Sequence, residues 1–187
     1  MNKRSFLAVG VLSVLATACT TTANNQGDPA ARRTSIDSQV DSALSRLYGQ
    51  VPGSGDLVGK ARGVLVFPAV VSAGLIVGGS RGEGALRVGG KTDGYFSTTA
   101  ASVGLLAGAD SRAVFILFLT QDALDRFRAS RGWTAGVDAS VTMLRVGATA
   151  AVDTQTVQQP VVGYVLSNAG LMANLSLDGT RINRLEL

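Results

Sequence analysis

Hydrophobic positions follow two different rhythms along the chain. Ile36, Val40, Leu44 and Leu47 recur at spacings of four, four and three, which places one apolar stripe on a helix. Asp28 and Pro29 supply a capping side chain and a first-turn proline ahead of it, and Gly49, Pro52, Gly53 and Gly55 end it. A shorter helix is expected over 56–61. From Gly63 the rhythm becomes that of strands. Val64-Leu65-Val66-Phe67 reads as a buried strand stopped by Pro68, followed by strands over 73–77 and 85–88 with turns at Gly78-Gly79 and Gly82-Glu83-Gly84. Residues 95–106 and 113–119 continue the β pattern. Thr120 then caps a helix over 121–130, with Leu124 and Phe127 on its apolar face and Asp122 in the first turn, where the helix dipole favours a negative charge. Further strands are expected over 134–150, 157–167, 171–177 and 181–185, with turns at Asn168-Ala169-Gly170 and Asp178-Gly179.

Most of these strands follow one another through short turns. The pattern predicts an α+β fold, a mostly antiparallel, curled or barrel-like β-sheet with two or three helices packed on it, and argues against alternating βαβ units. Curling lets a long run of strands hide its edges, and glycines within strands permit the bending. A membrane barrel is not expected, because aromatic residues are only 5% of the chain and helices interrupt the strands.

The first residues follow another logic. Lys3 and Arg4 precede an uncharged, mostly apolar run over 6–14, and small residues then lead to Cys19. This is the layout of a bacterial export signal, and the apolar run is too short to span a bilayer core of ~30 Å. Cys19 is the only cysteine in the chain and follows Leu15-Ala16-Thr17-Ala18. It is therefore expected to be the lipidated residue of a lipoprotein, cleaved just before it. The chain divides into a signal peptide (1–18), a flexible lipidated tether (19–27) and a single domain (28–187). Thr20 in place of an aspartate favours the outer membrane, with the domain periplasmic or surface-exposed.

Composition narrows the chemistry. With no histidine and one cysteine among 187 residues, the chain cannot build a Ser-His-Asp triad, an imidazole shuttle, an internal disulfide or a thiolate zinc site. No enzyme activity, cofactor or metal is expected. The formal charge of +4 falls to +2 once residues 1–18 are removed, since they carry Lys3 and Arg4 and no acid. Export makes nucleic acid an unsuitable partner.

Several motifs invite chemistry without supporting it. Ala85 to Thr92 nearly spells a phosphate-binding loop, but Asp93-Gly94-Tyr95-Phe96 follows as turn and strand rather than as the helix that would hold phosphate. A glycine hairpin turn with an exposed Lys91 is the simpler reading. Asp122 and Asp125 lie beside Arg126 and Arg128, as on a solvated helix face. Trp133 is expected in the core. Charge placement is the remaining signal. Of 17 basic residues all but three are arginine, which favours bidentate contact with phosphate. Lys60 and Arg62 precede the first strand, Arg81, Arg87 and Lys91 lie in the glycine-rich hairpin region, and Arg126, Arg128 and Arg131 lie on or after the later helix. These eight are the candidate head-group residues.

Ala61-Arg-Gly-Val-Leu-Val-Phe-Pro68, Ala73-Gly74, Val77 to Gly84, Phe118 to Leu124 with Phe127, Gly132-Trp133 and Gly136-Val-Asp138 together resemble the SYLF (lipid-binding, DUF500-like) domain family, over roughly residues 37–187. The resemblance implies a non-enzymatic domain that binds phospholipid head groups, phosphoinositides in eukaryotic members, some of which also engage actin. Those members use a basic amphipathic N-terminal helix. Here the matching helix carries Arg46 but also Asp37 and Asp41. Ser72 stands where many relatives have a basic residue, and Leu75-Ile76 replaces a common Phe-Gly pair. Two functions follow as expectations. One is an envelope lipoprotein, held by its acyl anchor, whose domain binds anionic phospholipid. The other is a structural module that docks an envelope protein partner and has no lipid site.

Overall fold

The computed structural model describes residues 28–74, 77–103, 108–144, 158–168, 170–172 and 176–187. Cys19, the signal and the tether lie outside the described residues. The first helix, α1 (Pro29–Gln50), begins as the sequence implies: Pro29 opens it and the Asp28 carboxylate accepts from the Ala30 amide at 2.9 Å. Ile36, Val40, Ala43 and Leu47 are its buried residues, so Ala43 replaces Leu44 on the innermost line. α2 (Ser54–Lys60) follows.

The next four elements are long strands, β1 (Gly63–Gly74), β2 (Val77–Val88), β3 (Lys91–Val103) and β4 (Gly108–Phe118). After them come α3 (Gln121–Ala129), β5 (Trp133–Thr134), β6 (Thr142–Met143), β7 (Val161–Ser167), β8 (Gly170–Leu171) and β9 (Arg181–Leu185). The strands form one sheet in the order β5-β9-β3-β2-β1-β4-β7-β6, with β8 added to β7. All pairings are antiparallel except β6 with β7. The expected class holds: three helices accompany a strongly curled, half-barrel sheet.

Both faces of the central sheet are covered. On one, α1 and α2 pack over Val64, Val66, Ala85, Phe115 and Tyr164. On the other, α3 and Trp133 pack over Leu65, Leu86, Phe96 and Phe118. This is why β4 and β7 read as continuous apolar runs instead of alternating ones: Ala113–Phe118 and Val161–Leu166 are buried throughout. Trp133 is in the core as expected, edge-on to Phe118 and Phe127 with ring centroids 6.4 and 5.7 Å away.

Three expectations need correction. Pro68 does not stop the first strand. β1 runs through it by a bulge, with register shifts between Val66 and Ala69 against β2 and between Phe67 and Val70 against β4. The extra residue absorbs the missing proline N–H. Second, the glycines from Gly78 to Gly84 do not form a turn but lie inside β2. Gly84 faces the bulge, and a β-carbon there would sit 1.9 Å from the Val66 carbonyl oxygen. Glycine is needed for close approach of two strands, not for turning. Third, the strand expected over 134–150 is reduced to β5 and β6, with 145–150 outside the described residues, while β7 starts at Val161 and Leu177 lies beyond β8. The Gly89-Gly90 hairpin is as expected: φ is 56° and 78°, Val88 pairs with Lys91, and a strand follows.

Candidate functional site

The two acids of α1 reach side chains of the sheet, Asp37 from a half-buried position and Asp41 from the exposed edge of the helix. Asp37 accepts hydrogen bonds from the Tyr95 hydroxyl at 2.9 Å and the Thr92 hydroxyl at 2.8 Å. Arg87 reaches Asp41 at 2.7 Å and Asp37 at 3.4 Å, and also donates to Thr92. One turn earlier Arg32 pairs with Glu83 of β2. Partial burial, and then the bond to Asp37, push the Tyr95 phenol up from its ordinary pKa. The departure from a basic helix thus has a structural cause: Asp37 and Asp41 moor α1 to the β2–β3 hairpin.

The eight candidate cations separate into groups. Arg87 is spent on that mooring, with its side chain only 14% exposed. Arg128 is held by Asp93 through two hydrogen bonds, which raise its pKa, and Arg126 pairs with Asp122 along α3. Arg81 stands apart on β2, in a polar cleft beside α1, 3.7 Å from the Glu83 that also holds Arg32. Lys60, Arg62 and Lys91 are exposed and enter none of the ion pairs among the described residues. These three share one end of the sheet, where β1 begins and the β2–β3 hairpin turns; the Arg62 amide bonds to Phe118 at the end of β4. Arg131 is also exposed, beyond α3 and near the β5–β9 edge.

On the face opposite α1, above the Pro68 bulge, lies a cavity of about 260 Å³. Phe67, Val70, Val114, Ile116, Val165 and Leu177 give it apolar walls. Ser80, Thr98, Arg112, Asp178 and Thr180 bring polar groups to it. Arg112 donates to the buried Ser72 hydroxyl at 3.0 Å. Arg112 was not among the sequence candidates. A signal existed, because Arg112 has the same strand parity as Val114 and Ile116 and therefore faces inward with them. Its hydrogen bond puts the guanidinium beside Ser72. Among the described residues, no group of three or more metal-ligating side chains converges, and no helix is long and apolar enough to cross a membrane.

A comparison with curated proteins finds no match. A family model does match: residues 99–185 fit the family described as Ysc84, Las17-binding protein actin regulator. The match covers the later part of β3, β4, α3 and the C-terminal strands, and so includes the Phe118–Leu124 and Gly132–Asp138 segments that carry the SYLF likeness. Over residues 99–185 the chain thus matches the SYLF (Ysc84) domain family.

Proposed function

We propose that the chain is a cell-envelope lipoprotein, acylated at Cys19 and held at the outer membrane, whose SYLF domain binds anionic phospholipid head groups without catalysis. The observation that carries the binding is the group Lys60, Arg62 and Lys91: three exposed cations at one end of the sheet with no carboxylate partner among the described residues. A lysine or arginine near an anionic leaflet contributes ~1 kcal/mol, so three give a contact that salt weakens. Acyl chains would supply attachment, since two already anchor stably. The head-group contact then sets orientation, or bridges to a second membrane.

The test is flotation of a chain starting at Asp28, which keeps the α1 cap, with vesicles of phosphatidylcholine alone or mixed with phosphatidylglycerol. Binding to the anionic vesicles at low salt, lost at high salt and lost on joint replacement of Lys60, Arg62 and Lys91 by glutamate, is expected. Equal binding to both vesicle types would sink the reading. For the anchor, mass spectrometry of the mature protein should find an acylated Cys19 at its N-terminus.

The protein-docking alternative draws on one observation. Val71 is 50% exposed on the α1 side of β1 above the bulge, with Ala73, Gly79 and Ala101 exposed around it. The register puts Arg81 directly opposite Val71, so this small apolar patch has a basic rim, which weighs against a protein dock that has no lipid site. Capture of one stoichiometric envelope protein without any vesicle binding would favour that alternative.

A further inference from the structure

The cavity opposite α1 combines apolar walls with a cation that has no carboxylate partner among the described residues. Five arginines take part in the ion pairs among the described residues, and Arg112 is not one of them. Its one side-chain hydrogen bond there goes to a neutral hydroxyl, Ser72. A guanidinium carries five N–H donors, and among the described residues Ser72 engages one of its nitrogens. Two carboxylates in its neighbourhood form no ion pair with it. Asp178 shares the cavity but lies against the Gly136 turn, where a β-carbon on Gly136 would come within 2.6 Å of its oxygen. Asp110 is two residues along β4 and exposed. A partly buried cation needs an anion for full stabilisation, and the hydroxyls of Ser80, Thr98 and Thr180 line the same cavity as neutral hydrogen-bonding groups.

The volume limits what can enter. Pockets for drug-sized ligands run from about 300 to 1,000 Å³. At about 260 Å³ this one suits one short or medium alkyl chain and not a two-chain lipid. We propose that it binds a single-chain anionic amphiphile, an alkyl carboxylate whose chain lies between β1, β4 and Leu177 and whose head pairs with Arg112. This site is separate from the Lys60, Arg62 and Lys91 end, so either can fail alone.

The experiment uses the full chain with Cys19→Ser, so that no attached acyl group competes, and calorimetric titration with decanoate, decanol and decyltrimethylammonium below their micelle-forming concentrations. Decanoate should bind at least about tenfold more tightly than decanol, and the cation should not bind. Arg112→Met should bring decanoate down to the level of decanol and leave decanol unchanged. Ala100→Phe, which adds a ring at the cavity lining, should weaken both. The joint glutamate replacement of Lys60, Arg62 and Lys91 should leave decanoate binding intact. Absence of decanoate binding, equal affinity for decanoate and decanol, or loss in the triple variant but not in Arg112→Met would overturn the proposal. Should Ala100→Phe fail to fold, the Arg112→Met comparison decides on its own. Failure of vesicle flotation with decanoate binding retained would remove the proposed surface contact and leave this site standing.

Discussion

The two halves of β1, joined by the Pro68 bulge, are built for different tasks. From Gly63 to Phe67 every residue is buried, because α1 covers one face and α3 with the aromatic cluster covers the other. From Val70 to Ala73 burial alternates, with Val70 and Ser72 inside and Val71 and Ala73 exposed. The two partly buried arginines flanking β1 differ in the same sense. Arg87, on the closed half, holds two carboxylates and a threonine. Arg112, on the open half, holds only a serine among the described residues. Where the sheet is packed on both faces, a charge is neutralised internally and serves the fold. Where one face is open and the other encloses a cavity, a charge is left for a ligand.

The largest test strikes the junction of the halves. Gly84→Val should cost about 3 kcal/mol or more, because the new side chain meets backbone at the bulge and no rotamer relieves it. Urea unfolding followed by circular dichroism would show this, and a loss below about 1 kcal/mol would mean that the strands need no close approach there. Next comes the pair of arginines. Arg87→Met removes the ion pairs to Asp37 and Asp41 but leaves Asp37 its Tyr95 and Thr92 hydroxyls, and should cost about 1–2 kcal/mol, whereas Arg112→Met should cost less than about 1 kcal/mol. Equal losses would break the contrast.

The smallest effect at neutral pH concerns Tyr164, in the closed half beneath α1. Its hydroxyl has no hydrogen-bond partner among the described residues, and burial pushes its pKa up to about 12. Below pH 10 both folded and unfolded chains keep the proton. As pH rises from 10 to about 12 the unfolded chain ionises first, so the folded state loses up to about 2–3 kcal/mol over that window. Tyr164→Phe should leave stability at pH 7 within about 1 kcal/mol of the parent and should lack this part of the alkaline loss. Parallel melts of the two proteins at pH 9 and pH 11 would check it.

Much of this fold was legible in the sequence. The Asp28-Pro29 start, the Gly89-Gly90 hairpin and the last strand over 181–185 are set by local chemistry and fall where the pattern put them. Errors arose where a residue's meaning depends on a partner distant in sequence. Pro68 and the glycines of β2 read as punctuation, yet together they make one bulge between paired strands. The site was harder to read for the same reason. Arg87 and Arg128 look free in one dimension, and the sheet brings Asp37, Asp41 and Asp93 to them. Arg112 looks like one more surface base until strand parity places it with Val114 and Ile116.

The position of β9 has a consequence for how the chain reaches its final state. Although its residues come last, β9 lies between β3 and β5, with Thr98 and Trp133 both paired to Ile182. An incomplete chain can form β1 to β3 by successive hairpins and lay β4 against the free side of β1, but β5 and its tryptophan have no strand to join until Arg181–Leu185 arrives. Assembly therefore cannot proceed to completion from the N-terminus alone. A chain lacking Arg181–Leu185 would leave Trp133, and with it the Phe118–Phe127–Trp133 cluster, without the strand that pairs along it.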